Sequence, residues 1–159
     1  MPMPVYATEL VQGAIKREFA YIFSEEKYPG IPEVDLFTVT DEPFTIKDIT
    51  LTPINVLHYR LPVKCYRIRD FTYITDANFI SEEEKQKIKG SKIIVVNALR
   101  REPHVSHFTF QQAIELMDEL KPEKAYFTHI SHQLGLHEKV SKELPDFIEL
   151  AYDGLQIGI

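Results

Sequence analysis

A continuous apolar run, Ile93-Ile94-Val95-Val96, places the strongest constraint on what this chain can fold into. A run without alternation is typical of a strand covered on both faces, and such strands occur in sheets flanked by helices. Before it, Ser81 and Glu84 form a capping-box pattern that predicts a helix ending near Gly90. The second half of the chain is therefore expected to alternate strands with helices.

The alternation continues toward the C-terminus. A second capping box at Thr109 predicts a helix whose apolar positions form one core-facing stripe. Residues 125–128 are predicted to form the next strand, and residues 136–144 a short helix. A strand at Phe147–Tyr152 and a last strand at Leu155–Ile157 are predicted to flank a turn at Asp153-Gly154.

The first half has a different order of elements: one predicted helix is followed by several predicted strands. Thr8 is a suitable N-cap for a helix extending to about Phe23. Strand runs followed by strand–helix alternation favour an α/β protein with a mixed sheet and helices packed on it. The predicted strands of this half are Val34–Val39, Phe44–Ile46, Ile49–Leu57, Val63–Ile68 and Phe71–Thr75.

Composition narrows the class of protein. With 159 residues, 44% of them hydrophobic and 26% charged, the chain has the profile of one ordinary globular domain. A net charge of −6 argues against a broad nucleic-acid-binding surface, although a local basic patch remains open. The longest apolar runs are far too short to span a membrane, so no membrane association is expected.

The single cysteine, Cys65, excludes an internal disulfide and favours the cytoplasm. It lies in an alternating strand-like segment, so we expect a small strand residue and not a nucleophile. The Met1-Pro2-Met3-Pro4 start lacks the basic and apolar regions of a signal peptide.

Histidine and aspartate side chains follow several predicted strands. His58, Asp76 and His129 each come directly after a strand, and His104 and His107 lie in the loop after the 93–98 segment. Because ligands gather at the carboxyl edge of layered α/β sheets, this placement predicts a shared site. Imidazole and carboxylate ligands suit zinc, manganese or iron. The alternative is a polar sheet edge whose histidines are satisfied by backbone groups.

Five local motifs follow one another along the chain: Thr75-Asp76, Asn97-Ala98-Leu99-Arg100, His104-x-x-His107-Phe108, Thr128-His129-Ile130-Ser131-His132 and Ala151-Tyr152-Asp153-Gly154-Leu155. In this order and spacing they resemble the motifs of the metallo-β-lactamase-fold hydrolases. The resemblance extends from about His58 to the C-terminus and is to the branch of the phosphoribosyl cyclic phosphodiesterases, which is related to the tRNA 3′-end processing ribonucleases of the Z type.

The resemblance implies a role for each matching residue. His58 would be the third imidazole on a first metal, Asp76 would bridge two metals, and His129 would complete the second. His107 would act as general acid toward the leaving oxygen, since the unperturbed pKa of an imidazole, about 6.5, lies near working pH. Two metals of this kind hydrolyse phosphodiesters by holding both the attacking and the leaving oxygen.

The remaining histidines are placed outside this ligand set. The family pattern implies that His132 and Asp153 have outer-sphere or packing roles. His104 and His137 are expected at the surface.

The chain departs from the family in lacking its early His-x-His-x-Asp-His motif. We therefore expect residues 1–159 to be a single, incomplete domain, the C-terminal part of an αββα sandwich. The parent protein is expected to be a dinuclear hydrolase of small-molecule phosphodiesters, with zinc or else manganese or iron, and this chain alone to be inactive. The alternative is a catalytically inactive half-fold that acts as a binding or structural module.

An incomplete sandwich would leave one sheet face uncovered. Exposed apolar patches beyond a few hundred Å² favour association. We therefore expect a homo-oligomer, or association with the missing N-terminal half. Nucleic acid is an alternative substrate that the negative charge does not favour.

Overall fold

The computed structural model describes residues 2–26 and 28–159. It divides the chain into two compact units, Met1–Phe44 and Thr45–Ile159. Among the described residues, every helix is too short or too polar to cross a membrane.

The first unit is a two-stranded parallel sheet with one helix. Strand β1 (Met3–Ala7) pairs with β2 (Val34–Thr38). Helix α1 (Glu9–Glu18) begins where the Thr8 hydroxyl accepts a hydrogen bond from the Val11 N–H, as the sequence predicts. The helix is shorter than predicted, because the chain leaves helical geometry at Phe19 and continues as a 3-10 turn, Ala20–Ile22.

Polar and aromatic contacts hold this unit together. The Gln12 side chain is buried and donates hydrogen bonds to the Ala7 carbonyl and to the Thr38 hydroxyl, each at 3.1 Å. The Tyr6 ring stacks on Phe37 with centroids 4.9 Å apart. Gln12 thus joins α1 to both strands of the small sheet.

The larger sheet has eight strands: β3 (Phe44–Ile46), β4 (Ile49–His58), β5 (Leu61–Ile68), β6 (Phe71–Ile74), β7 (Phe79–Ile80), β8 (Ile93–Asn97), β9 (Lys124–Thr128) and β10 (Ile148–Leu150). Their order is β10-β9-β8-β6-β5-β4-β3, with β7 paired to β4. Neighbours among β6, β8, β9 and β10 pair in parallel, whereas β4, β5 and β6 pair antiparallel.

Three α-helices accompany this sheet: α2 (Glu82–Ile88), α3 (Phe110–Leu120) and α4 (His137–Val140). At the start of α3 the predicted capping box is complete, with Thr109 and Gln112 each bonding the other's backbone N–H. The predicted α/β class, a mixed sheet with flanking helices, is confirmed.

The core of the larger unit forms between sheet and helix residues. Ile94 and Val96 are almost fully buried, and Val95, on the opposite face of β8, is only 5% exposed. The apolar run is therefore covered on both sides, as expected. Met117 of α3 and Phe127 of β9 belong to the same buried cluster.

Cys65 occupies the position expected of a structural residue. It is buried on β5, and its thiol donates to the Thr75 carbonyl at 3.6 Å. Burial raises the pKa of the thiol to about 11.

The predicted last strand, Leu155–Ile157, is wrong. This segment is irregular, and the Leu155 N–H binds the Tyr152 carbonyl within a turn. An apolar tripeptide becomes a strand only where a neighbouring strand offers hydrogen bonds. The predicted helix 136–144 is divided into α4 and a following 3-10 turn, Ser141–Glu143.

Candidate metal centre

Four predicted site residues lie at one edge of the larger sheet. His58 is the last residue of β4, Asp76 lies two residues beyond β6, and His129 directly follows β9. His107 lies in the loop between β8 and α3. Because β6, β8 and β9 are parallel neighbours, their carboxyl ends meet at the same edge.

The tightest part of the cluster is a triad of donor atoms. Asp76 Oδ1 lies 3.4 Å from His107 Nε2 and 3.4 Å from His129 Nδ1. The candidate ligand atoms of these three residues all lie within 4.8 Å of one another. A tetrahedral ion with bonds of about 2.1 Å separates neighbouring donors by about 3.4 Å. The triad therefore has the spacing of a metal-ligand set.

His107 lies between two other imidazoles. Its ring stacks on His129 with centroids 4.7 Å apart, and the His58 ring approaches it edge-on, also at 4.7 Å. The structure thus brings together all four side chains singled out in the sequence. His107, predicted as a general acid, is placed as closely to Asp76 as His129 is, so position alone does not separate a ligand from a proton donor.

Asp76 Oδ1 is a buried oxygen without a well-oriented hydrogen bond. Among the described residues the nearest donors are the His107 and His129 ring nitrogens at 3.4 Å, and the Asp76 side chain as a whole is about half exposed. Leaving a buried polar atom unpaired costs about 1–3 kcal/mol, and more for a charged group. A cation at this position would satisfy the oxygen, so the donor set fits a divalent metal.

The backbone at two of the site residues is strained. Asp76 and His129 both have a φ of 55°, in the left-handed region that side-chain-bearing residues rarely adopt. Such strain costs of order 1–3 kcal/mol and tends to occur at functional sites. Both residues are therefore held in the geometry that aims their side chains at each other.

The environment of His107 affects its protonation. Burial lowers the pKa of this imidazole below its usual 6.5, and the nearby His129 and His58 lower it further. The Asp76 carboxylate acts in the opposite direction but is outweighed. The neutral imidazole is accordingly favoured near pH 7.

His104 and Ser106 also lie at the site, although the sequence analysis assigned His104 no role there and did not single out Ser106. His104 was expected at the surface but is half-buried, with its Nδ1 3.1 Å from His107 Nδ1. The buried Ser106 hydroxyl lies 3.0 Å from the same atom. The local His-x-Ser-His sequence was the available signal. His132 and His137 are exposed.

A buried asparagine fixes the loop that carries Asp76. Asn97, at the end of β8, is fully buried. Its side chain accepts a hydrogen bond from the Ala77 N–H at 2.9 Å and donates one to the Ala77 carbonyl at 3.0 Å. The residue next to Asp76 is thus clamped to the strand beside it.

Main-chain hydrogen bonds connect the other loops. Phe108 N–H donates to the Ala77 carbonyl, Leu99 N–H to the Phe108 carbonyl, and Ser131 N–H to the Leu99 carbonyl, at 2.8, 3.0 and 2.9 Å. This series of bonds, here called the loop framework, passes beside Asp76, His107 and His129 in turn.

Asn78 connects the loop of His58 to the same framework. Its N–H donates to the Leu57 carbonyl at 2.8 Å, and its side-chain oxygen accepts from the Tyr59 N–H at 2.6 Å. All four site loops are therefore held by hydrogen bonds that do not involve the ligand atoms.

The edge of the sheet that gathers Asp76, His107 and His129 forms a candidate metal site, and comparison with known proteins gives the family. Residues 1–130 match the family described as the beta-lactamase superfamily domain, and the chain belongs to that family. The sequence-based resemblance to metallo-β-lactamase-fold hydrolases is confirmed.

Three similar proteins illustrate the relationship. A diphosphatase from the PhnP family is 32% identical in sequence; its structure matches 98% of this chain and 57% of its own, with a TM-score of 0.88. An octanoyltransferase from Porphyromonas gingivalis is 35% identical over 97% of this chain and 32% of its own length. Zn²⁺-bound PqqB from Methylobacterium extorquens shares the fold, with 15% identity, a TM-score of 0.70 and coverage of 99% and 63%. The chain spans about a third of the curated relative.

Proposed function

We propose that this chain supplies one part of the active site of a metal-dependent phosphodiester hydrolase. In this proposal His58, Asp76 and His129 hold a divalent ion, and His107 donates a proton to the leaving oxygen. The observation that carries it is the buried Asp76 Oδ1, which lies 3.4 Å from His129 Nδ1 and 3.4 Å from His107 Nε2. His58 lies outside this triad and approaches it through an edge-on contact with the His107 ring. The similarity to a PhnP-family diphosphatase supports phosphate chemistry.

The ligand set fits zinc best and also admits manganese or iron, because all accept imidazole and carboxylate donors. A zinc-bound protein of the same fold supports zinc. When bound, such an ion activates water and stabilises charge on a phosphoryl oxygen.

His107 has the properties of the proton donor in this arrangement. Its Nδ1 faces Ser106 and His104, which leaves Nε2 directed toward Asp76. The lowered pKa makes the protonated imidazole a stronger acid but also leaves most of it neutral near pH 7, so the pKa does not by itself favour this role. Its burial also limits competition from bulk water.

The proposal includes a second segment that carries His-x-His-x-Asp-His, the motif absent from this sequence. The chain would then be one incomplete domain, active in the cytoplasm on small phosphodiesters only when that segment is present. The first unit supports association: a two-stranded sheet is marginal by itself, and Met3, Leu10, Phe19 and Tyr28 are exposed. A homo-oligomer is the other arrangement that would cover exposed apolar side chains of this kind.

Metal content and hydrolysis test the function together. Elemental analysis of the purified chain should show weak zinc binding, and bis(p-nitrophenyl) phosphate should be hydrolysed only after the His-x-His-x-Asp-His segment is added. In the complemented protein, His107→Ala should cut turnover about 10²–10⁴-fold and retain the metal. Loss of metal from His107→Ala would make His107 a ligand instead.

Two further outcomes oppose the proposal. Tight binding of two metals by the chain alone would show that no second segment is needed. A clean 18.5 kDa monomer in light scattering that binds no hydrophobic dye would contradict the association.

The second candidate function is a binding or structural module without catalysis. The absence of the His-x-His-x-Asp-His motif from the chain favours it. If the complemented protein binds metal but leaves every phosphodiester intact, this function replaces the first.

A further inference from the structure

Two side chains contact the ring nitrogen of His107 that does not face Asp76. His107 Nδ1 lies 3.1 Å from His104 Nδ1 and 3.0 Å from Ser106 Oγ, and all three residues belong to the loop between β8 and α3. Ser106 and His107 are buried and His104 is half-buried, so the contacts are largely shielded from water. Each contact has hydrogen-bonding length, and the placement of its hydrogen decides what His107 is able to do at its other nitrogen.

The backbone determines the state of His104 Nδ1. The Ser106 N–H donates to this nitrogen at 3.4 Å. A backbone N–H is a donor in every protonation state, so the nitrogen that faces it accepts and carries no hydrogen of its own. In the neutral His104 ring the hydrogen therefore lies on Nε2.

The state of His104 in turn determines that of His107. Its Nδ1 lies 3.1 Å from a nitrogen that only accepts, and two unprotonated nitrogens would repel at this distance. The contact is attractive only when the hydrogen lies on His107 Nδ1. The Ser106 hydroxyl, 3.0 Å away, is able to accept the same hydrogen and does not oppose this arrangement. Neutral His107 is thus the Nδ1–H tautomer, with a lone pair on Nε2.

This tautomer places the exchangeable proton on the side of the candidate metal centre. His107 Nε2 lies 3.4 Å from Asp76 Oδ1, so in the neutral ring a lone pair faces a carboxylate oxygen. Two acceptors that face each other favour a proton or another cation between them. Catalytic triads use a comparable arrangement, in which a group at the far nitrogen holds the reacting imidazole in one tautomer and orientation.

We propose that His104 is a positioning residue, which holds His107 in the Nδ1–H tautomer so that Nε2 alone exchanges a proton with the leaving oxygen. The acid role of His107 rests on the proposed function, whereas the tautomer does not. In the transfer, the Nε2–H bond of the imidazolium breaks and its electron pair stays on Nε2. The leaving oxygen forms the new O–H bond, and Nδ1–H stays hydrogen-bonded to His104. The neutral ring that results is already the tautomer that His104 holds.

Nitrogen NMR of the purified, metal-free chain tests the tautomer without turnover. Two-bond ¹H–¹⁵N correlation spectra of the histidine rings show which nitrogen carries the hydrogen. At pH 8, where imidazoles are neutral, His107 should carry it on Nδ1. The exposed His132 should instead show the Nε2–H form that histidine side chains prefer in water.

A matched pair of variants tests the role of His104. His104→Leu removes the acceptor and should move His107 toward Nε2–H, because the Ser106 hydroxyl alone either donates or accepts. His104→Asn places a carbonyl oxygen the same number of bonds from the backbone as Nδ1, so it should retain the Nδ1–H tautomer. His137→Leu removes an exposed histidine of α4 and should leave the His107 signals unchanged.

Kinetics of the complemented protein supply the second measurement. His104→Leu should lower kcat about 10–100-fold with little change in KM, since groups that orient a reacting imidazole have effects of this size. His104→Asn should recover most of this loss.

The outcomes separate this assignment from the proposed function. Wild-type His107 in the Nε2–H form, the same tautomer in His104→Leu as in wild type, or an unchanged kcat in His104→Leu would each overturn the role of His104. The expected tautomers together with no hydrolysis in the complemented protein would support the hold of His104 on the ring and remove the hydrolase function. Hydrolysis with His107 in the Nε2–H form would do the reverse.

Discussion

Asn97 and the main chain of Ala77 form a closed pair of hydrogen bonds, 2.9 and 3.0 Å long, directly beside the proposed metal ligand Asp76. The asparagine is fully buried, so water cannot replace either bond. This pair sets the position of a strained residue whose carboxylate must meet two imidazoles.

Replacing Asn97 with alanine should therefore affect both stability and metal binding. Asn97→Ala leaves the Ala77 N–H and carbonyl without the side-chain partner, which should cost about 2–3 kcal/mol in the free energy of unfolding. Zinc affinity should also fall because Asp76 loses its support. Urea unfolding and zinc titration measure the two effects, with the exposed Gln111→Ala as control. Unchanged zinc affinity in Asn97→Ala would show that the clamp does not position Asp76.

Asp76→Asn should distinguish the contribution of a bound metal to thermal stability from that of the fold itself. Asparagine tolerates the left-handed backbone at this position and keeps the side-chain shape. Without metal, the melting temperature should stay the same or rise, because an unpaired buried carboxylate oxygen is neutralised. The rise in melting temperature on adding zinc should disappear. Thermal melts with zinc and with chelator measure this, and a zinc-dependent rise equal to wild type would exclude Asp76 as a ligand.

Glu84 should make stability depend on acid pH. Although burial by itself raises the pKa of this carboxyl, hydrogen bonds from Lys87 and Asn55 and the Lys87 charge outweigh it, so the pKa lies below its ordinary 4.5. The carboxylate therefore stabilises the fold above about pH 4.5, and this contribution is lost as pH falls through the lower folded-state pKa.

A matched pair of variants tests the acid dependence. Glu84→Gln should be less stable than wild type at pH 7, and the difference should shrink as the pH falls below 4.5. Glu83→Gln, an exposed neighbour on α2, should follow wild type throughout. Urea unfolding between neutral and acid pH measures the difference. A constant difference would mean that the Glu84 charge does not contribute.

Cys65 should be inert in the folded protein. A buried thiol whose pKa is raised to about 11 is almost entirely protonated at pH 8, and the thiolate is the reactive form. Ellman's reagent at pH 8 should react with the native chain only as fast as it unfolds, and rapidly in urea. Fast labelling without denaturant would show that β5 opens locally.

Local signals predicted most of the fold because they depend on neighbours close in sequence. The capping box at Thr109, the apolar run at Ile93 and the short connection between the predicted strands Val63–Ile68 and Phe71–Thr75 each determine their structure through residues adjacent in the chain. Strand formation at Leu155–Ile157 depends instead on a pairing partner elsewhere in the chain, which a local pattern does not contain. The short strand β7 (Phe79–Ile80) was missed for the corresponding reason, since its partner β4 is distant in sequence.

The site was predictable only in part. His58, Asp76 and His129 were identified by their positions directly after predicted strands, because the carboxyl ends of parallel strands meet at one edge of a sheet. The loop conformation that turns His104 toward His107 depends on three-dimensional packing, so spacing alone placed His104 at the surface. The ligand and acid roles remain predictions.

The loop framework has a consequence for how such a site changes over time. Its bonds join the main-chain groups of Ala77, Phe108, Leu99 and Ser131, of which only Ala77 has a fully buried side chain. The bonds therefore do not depend on which side chains stand at the three partly exposed positions, and substitutions there change the surface around the site without removing the framework. Related proteins can therefore keep the same carboxylate and imidazoles while the surface around them changes. A change of that surface changes which substrates reach the site.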